Sequence, residues 1–248
     1  MANIAKMDSA EYLKRFFVKT DKRIFFVMAA WNEEKRIAIV LRRLKLAGYE
    51  NIVVVDDCSK DRTSEIALRE GVAVLRHPIN RGQGAALQTG MAYALKHGAD
   101  IIVHFDSDGQ HRIEDLPAML RPVLEGKVQV ALGSRFLDKK NAEHIPAFRR
   151  LTLKIGVLII RIFYGLPLSD AHNGFRVMTR EAAKKIRITS DRMEHASEIV
   201  DLIKRNRISY TEVPVVILYD EYTLSHGQGS FMQGVRVGFK MLWRKFVS

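Results

Sequence analysis

Residues 101–111 read Ile-Ile-Val-His-Phe-Asp-Ser-Asp-Gly-Gln-His, an apolar, β-branched run that ends in two carboxylates. The run predicts a buried strand. Side chains two residues apart in a strand point to the same side, so Asp106 and Asp108 can converge at the strand's end. Carboxylates suit Mg²⁺ or Mn²⁺, which bind few protein oxygens and share their other positions with substrate phosphates. An Asp-x-Asp-Gly segment is also an ordinary turn, so the neighbouring motifs decide between the two interpretations.

The chain around residues 101–111 alternates between short apolar runs and helical patterns. Strands are predicted at 24–27, 52–55, 72–75 and 101–105, and helices at 33–47, 64–69 and 84–97. This alternation predicts an α/β fold with a mostly parallel central sheet and helices on both faces. Polar clusters at 32–34, 56–57, 80–84 and 106–108 each follow a strand. Because ligands bind beyond the carboxyl ends of such strands, the clusters predict a binding cleft.

The second half of the chain is less regular. Strands are predicted at 128–132 and 213–218, and an apolar-rich basic helix at 148–164. Pro214 marks the last of these strands as an edge strand, because proline cannot donate to a sheet ladder. Residues 231–248 show the spacing of a basic amphipathic helix. We therefore expect a single domain over residues 1–230, followed by a C-terminal helix over 231–248.

The composition narrows the class of protein. The chain has 248 residues, 40 Lys and Arg against 28 Asp and Glu, and a formal net charge of +12. This charge favours nucleotides, phosphorylated lipids or an anionic membrane surface as partners, whereas the lack of a recognised binding motif argues against nucleic acid. The single cysteine, Cys58, excludes an intramolecular disulfide. No apolar run reaches the roughly 20 residues that span a bilayer, so we expect a cytoplasmic protein, peripheral to the membrane face.

Two loops carry candidate ligand-binding residues. Asp57 lies too early to cap the helix that follows it, so its carboxylate is expected to be free to bind a nucleobase or ribose. The segment from Asn80 to Gly84 opens a helix but matches neither a Walker A loop nor a dinucleotide fingerprint. A helix N-terminus with small residues, beside Arg81, can nevertheless hold an anion.

Four later residues are candidates on their chemistry. Arg135 follows a predicted strand and Arg176 lies in a predicted turn; two arginines aimed at one phosphate would make bidentate, charge-assisted contacts. Glu198 lies among apolar residues of a helix, and a partly buried glutamate has a raised pKa and can act as a base. His226, in a glycine-containing loop, is a candidate metal ligand or diphosphate contact. Each of the four also has a plainer interpretation as a solvated side chain.

In their order along the chain, these motifs resemble the family-2 inverting glycosyltransferases of GT-A fold, and within them the dolichol-phosphate mannose synthase-like branch. The resemblance covers roughly residues 24–230 and rests on the segments Ala29 to Glu34, Val55 to Thr63, Asn80 to Leu87, Phe105 to Gln110, Gly133-Ser134-Arg135 and Asn173 to Arg176. Two residues depart from the family pattern. Ala29 stands in place of a usual proline, and Gln83 in place of a frequent lysine, which places more of the diphosphate contact on Arg81.

The resemblance implies a GT-A, Rossmann-like domain with a nucleoside-diphosphate sugar as donor and Mg²⁺ or Mn²⁺ as cofactor. The implied nucleotide-binding residues are Ala29, Trp31, Glu33, Asp57, Arg81, Gln83, Asp106 and Ser107. The implied metal ligands are Asp106, Asp108 and Gln110, with His226 as a further candidate, and the catalytic candidates are Asp108, Arg135, Arg176 and Glu198. The metal would act as a Lewis acid on the leaving nucleoside diphosphate.

The acceptor decides which of these candidates act. A hydroxyl of a glycan or another soluble acceptor needs a general base, for which Glu198 is the candidate. A polyprenyl phosphate is already anionic at neutral pH and needs only cationic positioning, which Arg135 and Arg176 would provide. The net charge and the two predicted basic helices favour the lipid phosphate and a membrane surface. The same helices are compatible with packing in a homo-oligomer interface.

Two other classes of protein remain as alternatives. Haloacid-dehalogenase-type phosphatases also carry Asp-x-Asp-Gly after a strand, but near the N-terminus, and Gln110 does not fit their pattern. A catalytically inactive nucleotide-binding or membrane-scaffold protein is the second alternative, prompted by Ala29 and Gln83. The intact pair Asp106 and Asp108 argues against it.

Overall fold

The computed structural model describes residues 9–138, 166–170 and 172–218. Within these ranges seven strands form one sheet: β1 (Ile24–Ala30), β2 (Ile52–Asp56), β3 (Ala73–Arg76), β4 (Ile101–His104), β5 (Val130–Ser134), β6 (Arg176–Thr179) and β7 (Tyr210–Pro214). The helices are α1 (Ser9–Lys14), α2 (Ile37–Leu46), α3 (Thr63–Arg69), α4 (Gln83–Lys96), α5 (Leu116–Leu124), α6 (Arg180–Lys185) and α7 (His195–Arg205). A 3-10 turn, Ile113–Asp115, precedes α5.

The strand order is β3-β2-β1-β4-β6-β5-β7. Every pair is parallel except those of β6, which runs antiparallel to both β4 and β5. The predicted α/β fold with a mostly parallel sheet is therefore confirmed. The chain builds outward from β1 to β3 and then returns to place β4 on the other side of β1. This reversal lies between β1 and β4, and such reversals are where open α/β sheets bind their ligands.

Helices cover both faces of the sheet because the side chains of each buried strand alternate between two apolar layers. On β1, Phe26 and Met28 pack into the layer formed with α2 and α5, whereas Phe25 and Val27 pack into the layer formed with α4, α6 and α7. The approach of α4 to β1 is especially close at Gly90. A β-carbon there would lie 2.4 Å from Cγ1 of Val27, so only glycine fits.

Two predictions for the second half of the chain were wrong. The last strand is β7 at Tyr210–Pro214, so Pro214 ends it instead of standing near its start, although β7 does lie at the sheet edge as expected. The predicted turn at Arg176 is the first residue of β6, which has four residues and is buried between β4 and β5. A strand of four residues is too short to show a detectable alternation of apolar and polar residues, and its antiparallel direction cannot be seen in the sequence.

Several predicted features lie outside the described residues. These are the helix at 148–164, the C-terminal helix at 231–248, the domain boundary at 230 and His226. Across the ranges that are described, no helix has the length and apolar character needed to cross a membrane.

Candidate functional site

The polar ends of several strands meet at one edge of the sheet. The parallel strands β1, β2 and β4 end there, and β6 begins there because it runs the opposite way. Arg176, the first residue of β6, is in register with His104 on β4 and Leu132 on β5. The fold therefore brings Arg176 to the edge that carries Asp106 and Asp108, as the sequence predicted for the clusters that follow the parallel strands.

Asp106 is the centre of this site. One of its carboxylate oxygens lies 2.9 Å from Nε2 of His111, and the other accepts a hydrogen bond from Nε2 of Gln83 at 3.3 Å. Burial opposes ionisation of Asp106, but His111 and Arg176 outweigh it and lower the pKa of the carboxyl. Gly174 lies directly against the same carboxylate. Asp106 is thus an ionised group held in place from three sides.

Asp108 and Glu33 add two carboxyl groups to the same space. Burial and the charge of Asp106 raise the pKa of Asp108 to about 6, even though its Oδ1 accepts a hydrogen bond from the backbone N–H of Gln110. Burial, followed by the charges of Asp108, Asp61 and Asp106, raises the pKa of Glu33 to about 8. Oε2 of Glu33 is buried and has no hydrogen-bond partner among the described residues. The site is therefore rich in negative charge and short of a compensating cation.

The expectation that the Asp57 carboxylate is free was wrong. Asp57 is buried, and its Oδ1 accepts a hydrogen bond from the backbone N–H of Arg81 at 2.9 Å and lies 2.8 Å from Nδ1 of His77. Its Oδ2 accepts from the backbone N–H of Gly82 at 2.5 Å. Asp57 therefore holds the 80–82 loop in place. The sequence could not reveal this, because His77 lies in the next loop along the chain.

The loops after β1 and β2 are joined by side-chain hydrogen bonds. The backbone N–H of Glu33 donates to Oγ1 of Thr63 at 2.7 Å, and that of Glu34 donates to Oδ2 of Asp61 at 3.1 Å. The loop after β4 is tied to β1, since Ser107 donates to the carbonyl of Ala29 at 2.8 Å. These contacts leave Trp31 exposed at the rim of the site.

The N-terminus of α4 is not an open anion site. The backbone N–H of Ala85 donates to the carbonyl of Asp191 at 3.1 Å, and a β-carbon on Gly84 would lie 2.0 Å from the carbonyl oxygen of Ser190. The Arg81 side chain, predicted to contact a diphosphate, instead pairs with Asp191 at 2.8 Å on an exposed surface. The segment before α7 therefore covers the first turn of α4.

Glu198 does not have the environment expected of a base. Its carboxylate accepts hydrogen bonds from the backbone N–H groups of Thr189 and Ser190 and from the hydroxyl of Thr189. Burial opposes ionisation, but these hydrogen bonds outweigh it and lower the pKa of Glu198. The predicted rise in pKa was wrong because a carboxylate that accepts several hydrogen bonds is stabilised in its charged form. Glu198 anchors the segment that covers α4.

The two arginines do not form the matched pair that the sequence suggested. Arg135 is buried and makes a bidentate pair with Asp170, with Nε to Oδ2 at 2.6 Å and Nη2 to Oδ1 at 2.9 Å. Arg176 is buried near both Asp106 and Asp170, and burial lowers its pKa to about 10. Its Nη1 has no hydrogen-bond partner in the described part of the chain. A buried guanidinium nitrogen with no partner among these residues makes Arg176 a candidate contact for an anionic group.

Three histidines near Asp106 were not predicted as site residues. His111 contacts the Asp106 carboxylate, and His104 and His195 are buried near Arg176. Burial and then Arg176 lower the pKa of His195 to about 4 and that of His104 well below its usual value. Both imidazoles are therefore neutral at pH 7. One signal was present in the sequence, since His104 interrupts an apolar strand two residues before Asp106.

A doubly wound sheet with carboxylates at its point of reversal defines a nucleotide-binding α/β protein as the class. The chain belongs to glycosyl transferase family 2, whose sequence model matches residues 25–187. It is 43% identical over 90% of its length to an uncharacterized protein of Methanocaldococcus jannaschii, of which it covers 92%. It is 33% identical to the UDP-N-acetylglucosamine–dolichyl-phosphate N-acetylglucosaminyltransferase of Methanococcus voltae, covering 90% of this chain and 95% of that one.

Other relatives agree with the family and the fold. The polyprenol monophosphomannose synthase of Mycolicibacterium smegmatis is 30% identical to this chain, in an alignment that covers 86% of this chain and 84% of that protein. The glucosyl-3-phosphoglycerate synthase of Mycobacterium tuberculosis, solved with Mn²⁺, UDP-glucose and phosphoglyceric acid, superposes with a TM-score of 0.64 at 19% identity, covering 93% of this chain and 82% of that one. This structural likeness confirms the GT-A type of fold that the resemblance implied.

Proposed function

We propose that this protein transfers a sugar, with inversion, from a nucleoside-diphosphate sugar to a polyprenyl phosphate, and that the reaction requires a divalent metal. The observation that carries the proposal is the pair Asp106 and Asp108 at the reversal between β1 and β4, beside the buried Arg176 with its unpartnered Nη1. Relatives of the chain are named as transferases to dolichyl phosphate and as a polyprenol monophosphomannose synthase.

The carboxyl groups of the site fit a divalent cation. Burial and then the charges of neighbouring carboxyl groups raise the pKa values of Asp108 and Glu33, and a bound cation would favour their charged forms. No cluster of three or more His, Cys, Asp or Glu at metal-binding spacing occurs in the described residues. Mg²⁺ and Mn²⁺ need fewer protein ligands, since a protein holds them through one or two carboxylates together with substrate phosphates.

Asp106 and Asp108 would hold this cation, and Gln110 and His226 stay predicted ligands. When bound, the metal offsets the charge that develops on the leaving nucleoside diphosphate. The protein's own contribution is to keep the carboxylates fixed: His111, Gln83 and Gly174 contact Asp106, and the backbone of Gln110 holds Asp108.

The donor would lie between the ends of β1 and β4. Trp31, Ala29 and Glu33 border this space from β1, and Ser107 joins it to the metal-binding loop. Asp57 supports the nucleotide site indirectly, through the 80–82 loop that it holds. This rim would decide which nucleotide is bound, and Gln83, which contacts Asp106, stays a predicted diphosphate contact.

The acceptor step needs no base when the acceptor is a phosphate. An oxygen of the lipid phosphate attacks the anomeric carbon, the bond from that carbon to the diphosphate breaks, and the electron pair leaves with the nucleoside diphosphate. A phosphate monoester is mostly dianionic at neutral pH, since its second pKa is about 6. Arg135 and Arg176 would orient it, and the hydrogen bonds of Glu198 leave the alternative, a hydroxyl acceptor, without its predicted base. This favours the lipid phosphate.

The charge of the chain also favours a location for the protein. The net charge of +12 favours a peripheral place on an anionic membrane, on its cytoplasmic face. The chain is also compatible with assembly into a homo-oligomer.

A transfer assay with paired acceptors tests the proposal. Purified protein is incubated with radiolabelled nucleoside-diphosphate sugars, Mn²⁺ and either polyprenyl phosphate or the matching polyprenol, which lacks only the phosphate. We expect transfer to the phosphate alone, its loss in EDTA and in Asp108→Asn, and full activity in the control Asp21→Asn, an exposed aspartate far along the chain from the site. Transfer only to a glycan hydroxyl, or binding of nucleotide with no transfer to any acceptor, would overturn the proposal.

A further inference from the structure

Asp170 is a buried carboxylate near Arg176 whose two oxygens are both engaged. Both of its oxygens bind the Arg135 guanidinium, and Oδ2 also accepts the backbone N–H of Arg135 at 3.1 Å. Oδ1 lies 3.3 Å from the backbone nitrogen of His172, which donates to it. Arg135 and Asp170 are both buried, at 6% and 2% exposure. A bidentate pair of this kind fixes the plane of a guanidinium as well as its position.

A second carboxylate fixes Asp170. Glu212, on the edge strand β7, accepts hydrogen bonds from the backbone N–H groups of Ser169 at 2.9 Å and Asp170 at 3.0 Å. It also accepts from the hydroxyl of Ser169 at 2.9 Å, and that hydroxyl lies 2.6 Å from Oγ of Ser134 on β5. The segment carrying Asp170 is thus tied to two neighbouring strands.

Asp170 also acts on the second arginine. Arg176 lies near both Asp106 and Asp170, and the charges of both carboxylates favour its protonated form against the effect of burial. The charges therefore alternate from Asp106 through Arg176 and Asp170 to Arg135. Asp170 is the member that both arginines share.

We propose that Asp170 is a positioning residue for the acceptor phosphate, which acts by orienting Arg135, and that Glu212 holds Asp170 in this position. The inference rests on the proposed function, because it assigns the two arginines to a phosphate acceptor. Asp170 and Glu212 thereby have a positioning role that neither the sequence motifs nor the Asp106–Asp108 pair assigned to them.

Two other roles for Asp170 fit the structure less well. As a base it would need an oxygen open to the acceptor, but both oxygens are bound by Arg135. Arg135 also outweighs burial and lowers the pKa of Asp170, which weakens it as a proton acceptor. As a purely stabilising pair it would be a poor choice, because a buried ion pair often contributes no more than well-packed apolar residues.

Steady-state kinetics of Asp170→Asn separate these roles. We expect the KM for polyprenyl phosphate to rise about tenfold or more, the amount that one charge-assisted contact contributes, with the KM for the sugar donor unchanged. The matched control is Asp201→Asn, which removes a similar aspartate–arginine pair, Asp201 with Arg205, at the surface of α7. A fall in kcat with both KM values unchanged would assign Asp170 to proton transfer, and wild-type values throughout would make the pair merely structural. Either result would overturn the inference.

A second variant covers the case in which Asp170→Asn does not fold. Glu212→Gln keeps one acceptor oxygen for the Ser169–Asp170 segment, and we expect a smaller rise in the same acceptor KM, with the donor KM unchanged. In addition, Glu212→Gln should add little to the effect of Arg135→Lys, because Glu212 acts on the acceptor through Arg135. Additive losses would contradict the inference. If the wild-type protein transfers sugar only to hydroxyl acceptors, the proposed function itself is wrong. If it uses polyprenyl phosphate and the variants behave as the wild type does, only the inference about Asp170 is wrong.

Discussion

A β-carbon placed on Gly174 would lie 2.5 Å from Oδ2 of Asp106 and 2.7 Å from Oδ1. The glycine therefore forms one wall of the space in which the central carboxylate sits. Because the approach is to a half-buried carboxylate held by its neighbours and not to the end of a flexible chain, any larger residue must displace either Asp106 or the loop before β6.

Gly174→Ala should abolish metal-dependent nucleotide binding while leaving the protein folded. We expect the thermal shift produced by Mn²⁺ and nucleotide to disappear, since ligand stabilisation depends on binding to the native state. Gly126→Ala is the control: its φ of +68° strains an alanine, but no atom lies within 4 Å of the added carbon. If Gly174→Ala keeps the wild-type shift, Asp106 is not confined as the structure indicates.

Gly90→Ala should destabilise the fold although alanine is the better helix former. The helical preference is worth about 1 kcal/mol, whereas overpacking a core costs about 1–3 kcal/mol, and here the new carbon would meet Val27 at 2.4 Å. We expect a net loss in the free energy of unfolding measured with urea. The double variant Val27→Ala, Gly90→Ala should lose less than the sum of the two single changes, and a stabilised Gly90→Ala would contradict the packing described.

Asp57→Asn should destabilise the protein as well as weaken nucleotide binding. An amide cannot accept from Arg81, Gly82 and His77 as the carboxylate does, and a buried donor left unsatisfied costs about 1–3 kcal/mol. Urea unfolding in the absence of nucleotide measures this loss, with Asp21→Asn as the control. An unchanged unfolding free energy with weaker nucleotide binding would instead restore Asp57 as a direct contact to the base.

Glu198→Gln distinguishes an anchoring role from that of a base. Loss of a general base lowers kcat about 10²–10⁴-fold. Since Glu198 accepts hydrogen bonds from Thr189 and Ser190, we expect kcat to change by less than about threefold and the melting temperature to fall. A hundredfold loss of kcat with an unchanged melting temperature would return Glu198 to the reaction.

The stability of the metal-free protein should depend on pH through Glu33. Its pKa is about 8 in the folded state, against 4.5 for the ordinary carboxyl. Below the lower value the group is protonated in both states and has no effect. As the pH rises between the two values the unfolded chain ionises first, so the folded state loses stability, and the loss is complete above the folded pKa.

The comparison of wild type with Glu33→Gln in EDTA measures this dependence. From about pH 5 to about pH 8.5 the melting temperature of the wild type should fall relative to that of Glu33→Gln. Glu50→Gln, a change at an exposed residue, should show a difference from wild type that does not vary with pH. A constant difference for Glu33→Gln would mean that Glu33 ionises normally.

Much of the fold could be predicted because its signals are local. The apolar strands β1, β2 and β4 and the helical spacing of α2 and α4 are visible within a few residues, and parallel strands necessarily bring their polar ends to one edge. Asp106 and Asp108 were found for this reason. The position of Arg176 was not predicted, because β6 is short and its direction depends on the two strands between which it lies.

The partners of the site residues could not be predicted, because they come from distant parts of the chain. Asp57 is engaged by residues from the 77–82 segment, Glu198 by residues before its own helix, and Arg135 by Asp170. A sequence pattern identifies a carboxylate or guanidinium but not whether a neighbour already binds it. The predicted roles of Asp57 and Glu198 therefore changed, whereas Arg135 gained a partner that the sequence did not reveal.

Because β6 runs antiparallel to β4, the proposed donor and acceptor residues come from different parts of the chain. Residues that would choose the sugar donor come from loops that leave the sheet after β1, β2 and β4, whereas Arg176 and Asp170, on the acceptor side, come from the start of β6 and the segment before it, the entering loop. The entering loop is fastened by Asp170 and Glu212 to β5 and β7, outside the donor half. Under the proposed function, changes at Asp170 or Glu212 would bear on the acceptor, whereas a change at Gly174, in the same loop, would bear on Asp106 and the donor.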